Sequence, residues 1–521
     1  MPHVRSTRLL TLTAMALGLV AACSAPPDKT HPPTSIRVSL TPTVATLQPG
    51  GQQTFTATVT GSANEGVTWN VSGGALTGTG NSVIYVAPAD PGAYQVTAAS
   101  VADPSKTASA TVTVTVPDPD PVPVPDPADP AESPLTSVWT RQFGTEGFDA
   151  VHAIAAGLDG NVFVVGSHDA PSGGPPDRYR DAFAKSFEAD GDQARESIFS
   201  WIYDNAFLGA AVDPSGRVIV VGYVAGGNTD PSDAYVVKYN SNLRSTWDTQ
   251  FGSRDLDGAN GAAADPDGNV LVVGFTQGDL HPERFGDTDA FVWKLDENGI
   301  PLWSHQFGAA GHNGATGVAV DADGNVLVTG WLSDDQGSPG RPNQDAFVRK
   351  YDPTGALLWH DRFGTTELDS GSGVAVDAQG NVLVVGSTWG DLAAPQVGWS
   401  DAFVRLYGPD GEVKWTDQFG DGAYDAARSA VVDTDGGFLV LGSAGLALDG
   451  AFVESIGLFI RKYAADGTVA WTYQFGSSAA DVPGGIALDA TGNIYVAGGT
   501  NGDLGGPNAG GTDGFIRKFA R

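Results

Sequence analysis

The sequence is poor in cysteine and in basic residues. A single cysteine among 521 residues excludes a disulfide scaffold and a thiolate zinc cluster. Lysine and arginine number 28 against 60 acidic residues, and the formal net charge of −32 disfavours nucleic acid and anionic lipid headgroups as partners. The sequence also lacks Gly-x-Ser-x-Gly, His-Glu-x-x-His and phosphate-binding Gly-Lys motifs. We therefore expect a protein that is not an enzyme and binds no nucleic acid.

Glycine, proline and apolar residues are abundant. The chain has 70 glycines and 33 prolines, which is typical of many tight turns. Hydrophobic residues make up 41% of it, enough to build real cores. This composition predicts an all-β protein, and the length predicts two to four domains at roughly 150 residues each.

The first 22 residues have the features of an export signal. Two arginines precede an apolar run from Leu9 to Val20, which is shorter than the roughly 20 residues of a membrane-spanning helix. The run ends in Leu19-Val20-Ala21-Ala22-Cys23, which resembles a bacterial lipobox. The resemblance implies lipidation of Cys23 and a lipid anchor; the alternative is an ordinary signal peptide with a chance cysteine. We expect a lipoprotein signal peptide over 1–22, a lipid-anchored tether over 23–33, and an exported protein of the bacterial envelope, at the outer membrane or cell surface.

Residues 34–117 alternate polar and apolar side chains in several short runs. Thr54 to Val59 and Ala93 to Ala98 are examples, and pairs such as Pro-Gly and Gly-Gly separate the runs. A period of two with such turns predicts a half-buried antiparallel β-sandwich. The pattern resembles the group 2 bacterial Ig-like domains, which implies that Trp69 is the core tryptophan and that Tyr94 forms a tyrosine corner. We expect a stalk, with a ligand-binding module as the alternative.

Residues 118–134 form a linker in which aspartates alternate with prolines. Such a stretch cannot build a core, and its acidic residues repel one another. In extended polyproline conformation, at about 3.1 Å per residue, it spans on the order of 50 Å. We expect a stiff spacer.

One unit of about 56 residues repeats through the rest of the chain, 135–521. Five tryptophans lie 56 residues apart, each opening a Trp-x-x-x-Phe-Gly run or a close variant: Trp247, Trp303, Trp359, Trp415 and Trp471. Trp139 and Trp201 extend the series. Each unit predicts four strands, and seven copies of a second-strand glycine predict a seven-bladed β-propeller. Residues 135–143 form a fourth strand with no preceding strands in its unit, and residues 484–521 contain the first three strands of a unit without a fourth. We therefore expect these two segments to pair and close the ring.

These units resemble the SBBP repeat, a bacterial seven-bladed propeller family. The resemblance rests on Trp-x-x-Gln-Phe-Gly, Val-Asp-x-x-Gly-Asn-Val and Asp-Ala-Phe-Val-Arg-Lys-Tyr runs. It implies the fold and carries no general activity. The segment from Asp352 to Trp359 also resembles the tryptophan-docking motif of quinoprotein propellers, but those have eight blades, and their dehydrogenases use a cysteine pair that this chain lacks.

Two series of aspartates recur in register with the repeat. The first stands five residues after the Phe-Gly glycine, with Asn313 in one unit: Asp149, Asp257, Asp369, Asp425 and Asp481. The second follows thirty-two residues later: Asp181, Asp289, Asp345, Asp401 and Asp513. Both fall on the propeller face that has the long connections, which is therefore the expected ligand face. Either these carboxylates bind backbone amides of their own loops, or they converge and bind a cation such as Ca²⁺.

Several aromatic residues fall in the predicted long connections, among them Trp331, Trp389 and Trp399. Exposed rings beside carboxylates stack on sugars or peptides; alternatively, they fill gaps between blades. We expect a non-catalytic propeller that acts as a binding or adhesion head for a protein or glycan ligand on an Ig-like stalk. The alternatives are a periplasmic scaffold of envelope assembly and a cation-dependent, polysaccharide-active enzyme.

Overall fold

The computed structural model describes residues 35–47, 49–90, 92–114, 134–169, 180–200, 204–225, 231–334, 343–446, 448 and 457–520. The chain divides into two compact units, Met1–Val124 and Pro125–Arg521. Every regular element among the described residues is a β-strand, which confirms the all-β class. None of these residues belongs to a helix long and apolar enough to cross a membrane.

The described part of the first unit contains eight strands. Their bounds are β1 (Arg37–Thr41), β2 (Val44–Leu47), β3 (Gln52–Thr60), β4 (Val67–Val71), β5 (Ala75–Thr77), β6 (Ser82–Val86), β7 (Gly92–Ser100) and β8 (Thr107–Val114). They form two four-stranded sheets, with the orders β1-β3-β6-β5 and β2-β8-β7-β4. Strands β2 and β8 are parallel, and the other neighbours are antiparallel.

These two sheets enclose one apolar core. Phe55 and Tyr85 are fully buried in it, with ring centroids 6.3 Å apart and planes at 82°. Trp69, the expected core tryptophan, packs against this core but is only half-buried. The Tyr94 hydroxyl donates a hydrogen bond to the Asp90 carbonyl at 3.0 Å, which is the contact of a tyrosine corner.

The described part of the second unit contains seven four-stranded sheets. The strands of the first three, in sheet order, are β10 (Asp149–Ala156), β11 (Val162–Asp169), β12 (Arg180–Phe187), β13 (Gln193–Phe199); β14 (Asn205–Val212), β15 (Val218–Ala225), β16 (Ser232–Tyr239), β17 (Ser245–Phe251); β18 (Asp257–Ala264), β19 (Val270–Thr276), β20 (Asp289–Leu295), β21 (Pro301–Phe307). Those of the last four are β22 (Gly314–Val320), β23 (Val326–Asp334), β24 (Asn343–Tyr351), β25 (Leu357–Phe363); β26 (Asp369–Val376), β27 (Val382–Thr388), β28 (Asp401–Tyr407), β29 (Val413–Phe419); β30 (Ala426–Val432), β31 (Phe438–Ala444), β32 (Gly457–Tyr463), β33 (Val469–Phe475); β34 (Asp481–Leu488), β35 (Ile494–Thr500), β36 (Asp513–Ala520), β9 (Thr136–Phe143).

The last sheet joins the two ends of the repeat region. Strand β9 pairs antiparallel with β36, with Trp139 opposite Lys518 and Phe143 opposite Gly514. The predicted pairing of the first segment with the last is therefore confirmed. It gives the seventh sheet its fourth strand and leaves β36 without an open edge.

The first strands of the seven sheets contact one another in sequence order, and β34 contacts β10. They lie very close together. A Cβ atom on Gly317 would lie 3.1 Å from the Cα atom of Gly373 in the next first strand, and one on Gly373 would lie 3.0 Å from the Arg428 carbonyl oxygen. Small residues are therefore required where these strands converge.

Every first strand contains a β-bulge at the same position. In β26 the register shifts between Gly371 and Gly373, so Ser372 is the extra residue. The second-strand glycine Gly386 pairs with Gly371, and a Cβ atom there would lie 1.9 Å from the Ser370 carbonyl oxygen. The same contact recurs in all seven sheets at 1.9 to 2.2 Å. The repeated glycine thus allows the close backbone approach that accompanies the bulge.

Tryptophans of the fourth strands bind the neighbouring sheet. The indole N–H of Trp303 donates to the Pro353 carbonyl at 3.0 Å, and the ring lies against Gly355, whose φ of +92° favours glycine. Three other tryptophans make the equivalent bond fifty residues ahead: Trp139 to Ala189, Trp247 to Glu297, and Trp359 to Pro409. This contact ties each of these fourth strands to the next sheet.

Buried lysine–aspartate pairs hold the short turn between the first and second strands of four sheets. The Nζ–Oδ2 distances are 2.6 to 3.0 Å in the pairs Lys238–Asp213, Lys294–Asp265, Lys350–Asp321 and Lys462–Asp433. Neither side chain of the Lys238–Asp213 pair is exposed to solvent. These turns lie at the opposite end of the sheets from the long connections, which include 389–400.

Candidate functional site

The first aspartate series lies at the start of the first strands. Its five members are buried: Asp149, Asp257, Asp369, Asp425 and Asp481. Each accepts a hydrogen bond from the backbone N–H four residues earlier, at 2.5 to 2.9 Å. Asn313 accepts the same bond from Ala309 at 3.0 Å. These side chains therefore brace the loop that enters each first strand.

The second aspartate series lies at the start of the third strands. Four members, Asp181, Asp289, Asp401 and Asp513, are buried, and Asp345 is half-buried. The repeat glutamine donates to three of them at 2.8 to 2.9 Å: Gln306 to Asp289, Gln418 to Asp401, and Gln142 to Asp513. Arg362 replaces the glutamine beside Asp345, at 2.7 Å, and the Ser200 hydroxyl donates to Asp181 at 2.9 Å.

The repeat glutamine also anchors the long connection. Gln418 Oε1 accepts hydrogen bonds from the backbone N–H groups of Leu392 and Ala393 at 2.7 and 2.8 Å, and Nε2 donates to the Gly390 carbonyl at 3.0 Å. Sequence analysis treated this glutamine only as part of a family pattern. Its recurrence three residues after five of the seven repeat tryptophans was the available signal for a loop anchor.

The two aspartate series meet around the Phe-Gly glycine. A Cβ atom on Gly420 would lie 2.3 Å from Asp401 Oδ1 and 2.9 Å from Asp425 Oδ2, so this residue has to be glycine. Burial raises the pKa of all five members of the first series. For Asp425, burial and the neighbouring Asp421 carboxylate raise the pKa to about 7.

The carboxylates make internal hydrogen bonds and do not face solvent as a ring. Within the described ranges, no group of three or more His, Cys, Asp or Glu side chains is arranged to hold a metal ion. Calcium binding by either series stays a prediction.

The three predicted loop aromatics lie in different environments. Trp331 lies within strand β23, because that strand runs on to Asp334, and its ring packs over Gly314. Trp389 and Trp399 lie in the long connection between β27 and β28. The Trp399 ring is 61% exposed and stacks on Tyr424, with centroids 5.9 Å apart and planes at 15°. The ring of Trp389 packs edge-on against the same tyrosine, with ring centroids 5.9 Å apart and planes at 60°.

A cavity of about 210 Å³ lies among the first strands. All seven bulge residues line it: His152, Leu208, Asn260, Thr316, Ser372, Arg428 and Gly484. The bulge places one residue per sheet at the cavity, and six of the seven carry a side chain. All seven stand at the same position of the repeat, three residues after the position of the first aspartate series. Sequence analysis did not find it, because a β-bulge interrupts the alternation that predicts where a side chain points.

The cavity carries positive charge. Arg428 and His152 are the ionisable residues that line it. Burial and the positive charges of Arg428 and Arg180 lower the pKa of His152 to about 4, so this imidazole is neutral at pH 7. Its Nε2 lies 3.0 Å from the Ser167 hydroxyl.

Several predicted features fall outside the described residues. These are the signal peptide, Cys23 and its tether, the linker except Pro134, and Trp201.

The chain is similar to known proteins in sequence and in fold. Residues 358–393 and 470–505 match the family model of the SBBP beta-propeller repeat. The chain contains SBBP repeats.

The chain is 27% identical over 279 residues to Regulatory protein FlaEY of Caulobacter vibrioides, and this match covers 45% of this chain and 29% of that protein. It is 26% identical over 152 residues to Uncharacterized WD repeat-containing protein L264 of Acanthamoeba polyphaga mimivirus, covering 24% of this chain and 11% of that protein. The chain thus spans less than a third of either relative.

The similar solved structures include enzymes, at low similarity. The PQQ-bound Aldose Sugar Dehydrogenase of Streptomyces coelicolor is 11% identical, with a TM-score of 0.36 over 75% of this SBBP-repeat chain and 99% of that chain. A Synechocystis apocarotenoid oxygenase mutant is 11% identical, with a TM-score of 0.39 over 73% of this chain and 95% of that chain. At these values the similarity carries no argument about activity.

Proposed function

We propose that this protein is a surface lipoprotein whose propeller is a non-catalytic binding head for glycans. In this proposal Cys23 carries the lipid, residues 34–117 form an Ig-like stalk, and residues 135–521 form a closed seven-bladed propeller. The seven four-stranded sheets, the β9–β36 pairing and the contact of β34 with β10 support the closed ring.

The observation that carries the binding role is the exposed aromatic cluster of Trp389, Trp399 and Tyr424. Trp399 is 61% and Tyr424 51% exposed, although both are large and partly apolar. Exposed apolar groups that lie together typically mark an interaction site. The long connections hold this cluster at the end of the sheets where loops are longest, while Gln418 and Asp401 keep the connection that carries it in one conformation.

The chemistry of the cluster favours a neutral glycan. Residues 135–521 contain 51 acidic and 23 basic residues, and this excess disfavours anionic surfaces as partners. Flat rings offer an apolar stacking surface with a polar rim, and Gln396 and Asp391 lie in the same connection. Both side chains offer hydrogen-bonding groups that suit sugar hydroxyls.

The test is a glycan array probed with the full-length chain, with Trp399→Ala as the variant and Phe285→Ala as its matched control. Phe285 is also an exposed aromatic of a long connection, two repeats earlier. We expect binding to neutral glycans that Trp399→Ala abolishes and Phe285→Ala keeps. Absence of glycan binding, or equal binding by wild type and Trp399→Ala, would refute the role of the cluster.

The envelope location has a separate test. Cys23→Ser should release the protein from the membrane fraction and abolish incorporation of a labelled fatty acid. Membrane association that persists in Cys23→Ser would contradict the lipid anchor.

A further inference from the structure

We propose that the cavity among the first strands is a binding site for a small oxyanion, held by the guanidinium of Arg428. The ligand is an anion that presents two or more oxygens, as carboxylates, phosphate and sulfate do. The site is separate from the aromatic cluster, and its existence does not depend on glycan binding.

The charge of Arg428 has no partner in the part of the chain that the structure describes. Among the described residues, its side chain makes no ion pair and no hydrogen bond, although solvent reaches it. Six other described arginines of this unit lie against carboxylates; Arg362, for example, contacts Asp334 and Asp345, both at 2.7 Å. Arg428 is exposed to the solvent of the open cavity, and partial desolvation by the first strands around it lowers its pKa. An anion would supply the missing opposite charge.

The composition of the lining supports the same conclusion. No carboxylate is found among the residues that line the cavity, although residues 135–521 contain 51 acidic residues. An Arg guanidinium presents N–H groups in a planar fork that matches an oxyanion.

Neighbouring groups form a cradle on one side of the cavity. Ser372 precedes Arg428 in the ring and makes no hydrogen bond with another described residue, so its hydroxyl can donate to a ligand. Gly484 follows, and a Cβ atom there would lie 2.5 Å from the Val151 carbonyl oxygen, so no side chain separates Arg428 from His152. The neutral His152 imidazole adds an N–H donor in the tautomer that carries the proton on Nδ1.

The other three ring residues are apolar or already make a hydrogen bond, and Asn260 Nδ2 donates to the Ala315 carbonyl at 2.9 Å. Leu208 offers no polar group, and the Thr316 hydroxyl donates to the Gly371 carbonyl at 2.7 Å. The volume of about 210 Å³ corresponds to roughly seven waters of liquid at about 30 Å³ each. This volume is large enough for a small anion such as phosphate or sulfate.

The test uses isothermal titration calorimetry and thermal melting of the full-length chain with sodium phosphate, sulfate or malonate, each against sodium chloride at equal ionic strength. We expect at least one of the three to bind with one-to-one stoichiometry and to raise the melting temperature. Arg428→Ser should weaken binding about 10- to 100-fold, because it removes the guanidinium that holds the anion. This variant should fold, since serine (Ser372) occupies the equivalent position in the preceding sheet. The matched control, Arg195→Ser, removes the same charge from an exposed strand and should bind like wild type.

Two outcomes overturn the proposal. One is that none of the three anions binds more tightly than chloride, and the other is that Arg428→Ser binds as tightly as wild type. If Arg428→Ser does not fold, Arg428→Lys replaces it, since lysine keeps the charge but loses the fork. Arg428→Lys should then lose about tenfold in affinity, and unchanged affinity counts against the site.

Discussion

Replacing Asp425 by asparagine removes an ionisable group that the fold keeps away from water. The Asp425 side chain is fully buried, and its carboxylate accepts the backbone N–H groups of Asp421 at 2.9 Å and Gly445 at 3.2 Å. Asn313 occupies the equivalent position two repeats earlier. Its Oδ1 accepts both equivalent N–H groups, and its Nδ2 donates to three carbonyls, those of Thr288, Ala309 and Gly311. Asparagine therefore fits this position without rebuilding the loop.

The size of the effect follows from the pKa of Asp425. Burial, with the Asp421 charge added, raises it from the ordinary 3.8 to about 7, which corresponds to about 4 kcal/mol. Because the folded pKa is raised, the wild type has its full stability below about pH 4 and loses it as the pH rises through 7. Asp425→Asn should therefore match wild type near pH 4 and exceed its free energy of unfolding at pH 8, by about 2 to 4 kcal/mol.

The assay is urea denaturation followed by tryptophan fluorescence at pH 4, 6 and 8. Eleven of the twelve tryptophans lie in residues 135–521, so the signal reports on this unit. Asn313→Asp is the reciprocal control: it places a carboxylate against the three carbonyls and should destabilise the protein more at pH 8 than at pH 4. A stability difference between Asp425→Asn and wild type that does not change with pH would refute the reasoning.

Three further predictions concern the repeat contacts. Trp359→Phe should cost about 1 kcal/mol more than Trp415→Phe in urea denaturation, because Trp359 loses its bond to Pro409 while Trp415 Nε1 has no acceptor among the described residues; equal losses would contradict this. Lys238→Leu should cost about 1.5 to 3 kcal/mol at pH 7, since it removes the buried cation beside Asp213 and leaves that carboxylate with Arg217, whose Nε lies 2.9 Å away. Burial acts to raise the pKa of Asp213, but hydrogen bonds from Lys238 and Ser215 hold it at about 2. The loss of unfolding free energy in Lys238→Leu should therefore shrink as the pH falls from about 4 through 2, and a loss independent of pH would contradict this. Gln418→Ala should speed hydrogen exchange at Leu392 and Ala393 without affecting exchange at Leu280, which Gln306 holds; unchanged exchange would show that the glutamine is not the anchor.

The regular part of the fold was predictable because its signals are local. The 56-residue spacing of tryptophans, the second-strand glycines and the missing strands at the two ends predicted four-stranded units and the pairing of β9 with β36. Strand bounds were less accurate, since β23 extends to Asp334 and so includes Trp331. Trp69 packs against the core as expected but is only half-buried, because the burial of a ring depends on how two sheets meet.

The candidate site was only partly predictable. The sequence located both aspartate series and Trp399, but it left open whether the carboxylates face solvent or their own loops. Asp425 turns toward backbone N–H groups because the Phe-Gly glycine leaves space for two carboxylates beside it. The partners of a side chain depend on atoms brought together from distant segments, and spacing alone does not contain them.

By itself, the sequence determined the all-β class, the repeat and the pairing of its two ends, since period-two alternation, glycine turns and a fixed repeat length are properties of neighbouring residues. Only the tertiary structure decided that His152 and Arg428, 276 positions apart in the chain, line one cavity with no carboxylate between them. The physical reason is that a β-bulge in each first strand redirects one side chain, and seven such strands converge. The single cysteine and the few basic residues excluded many functions, whereas the position of one of those basic residues supports the proposed anion site.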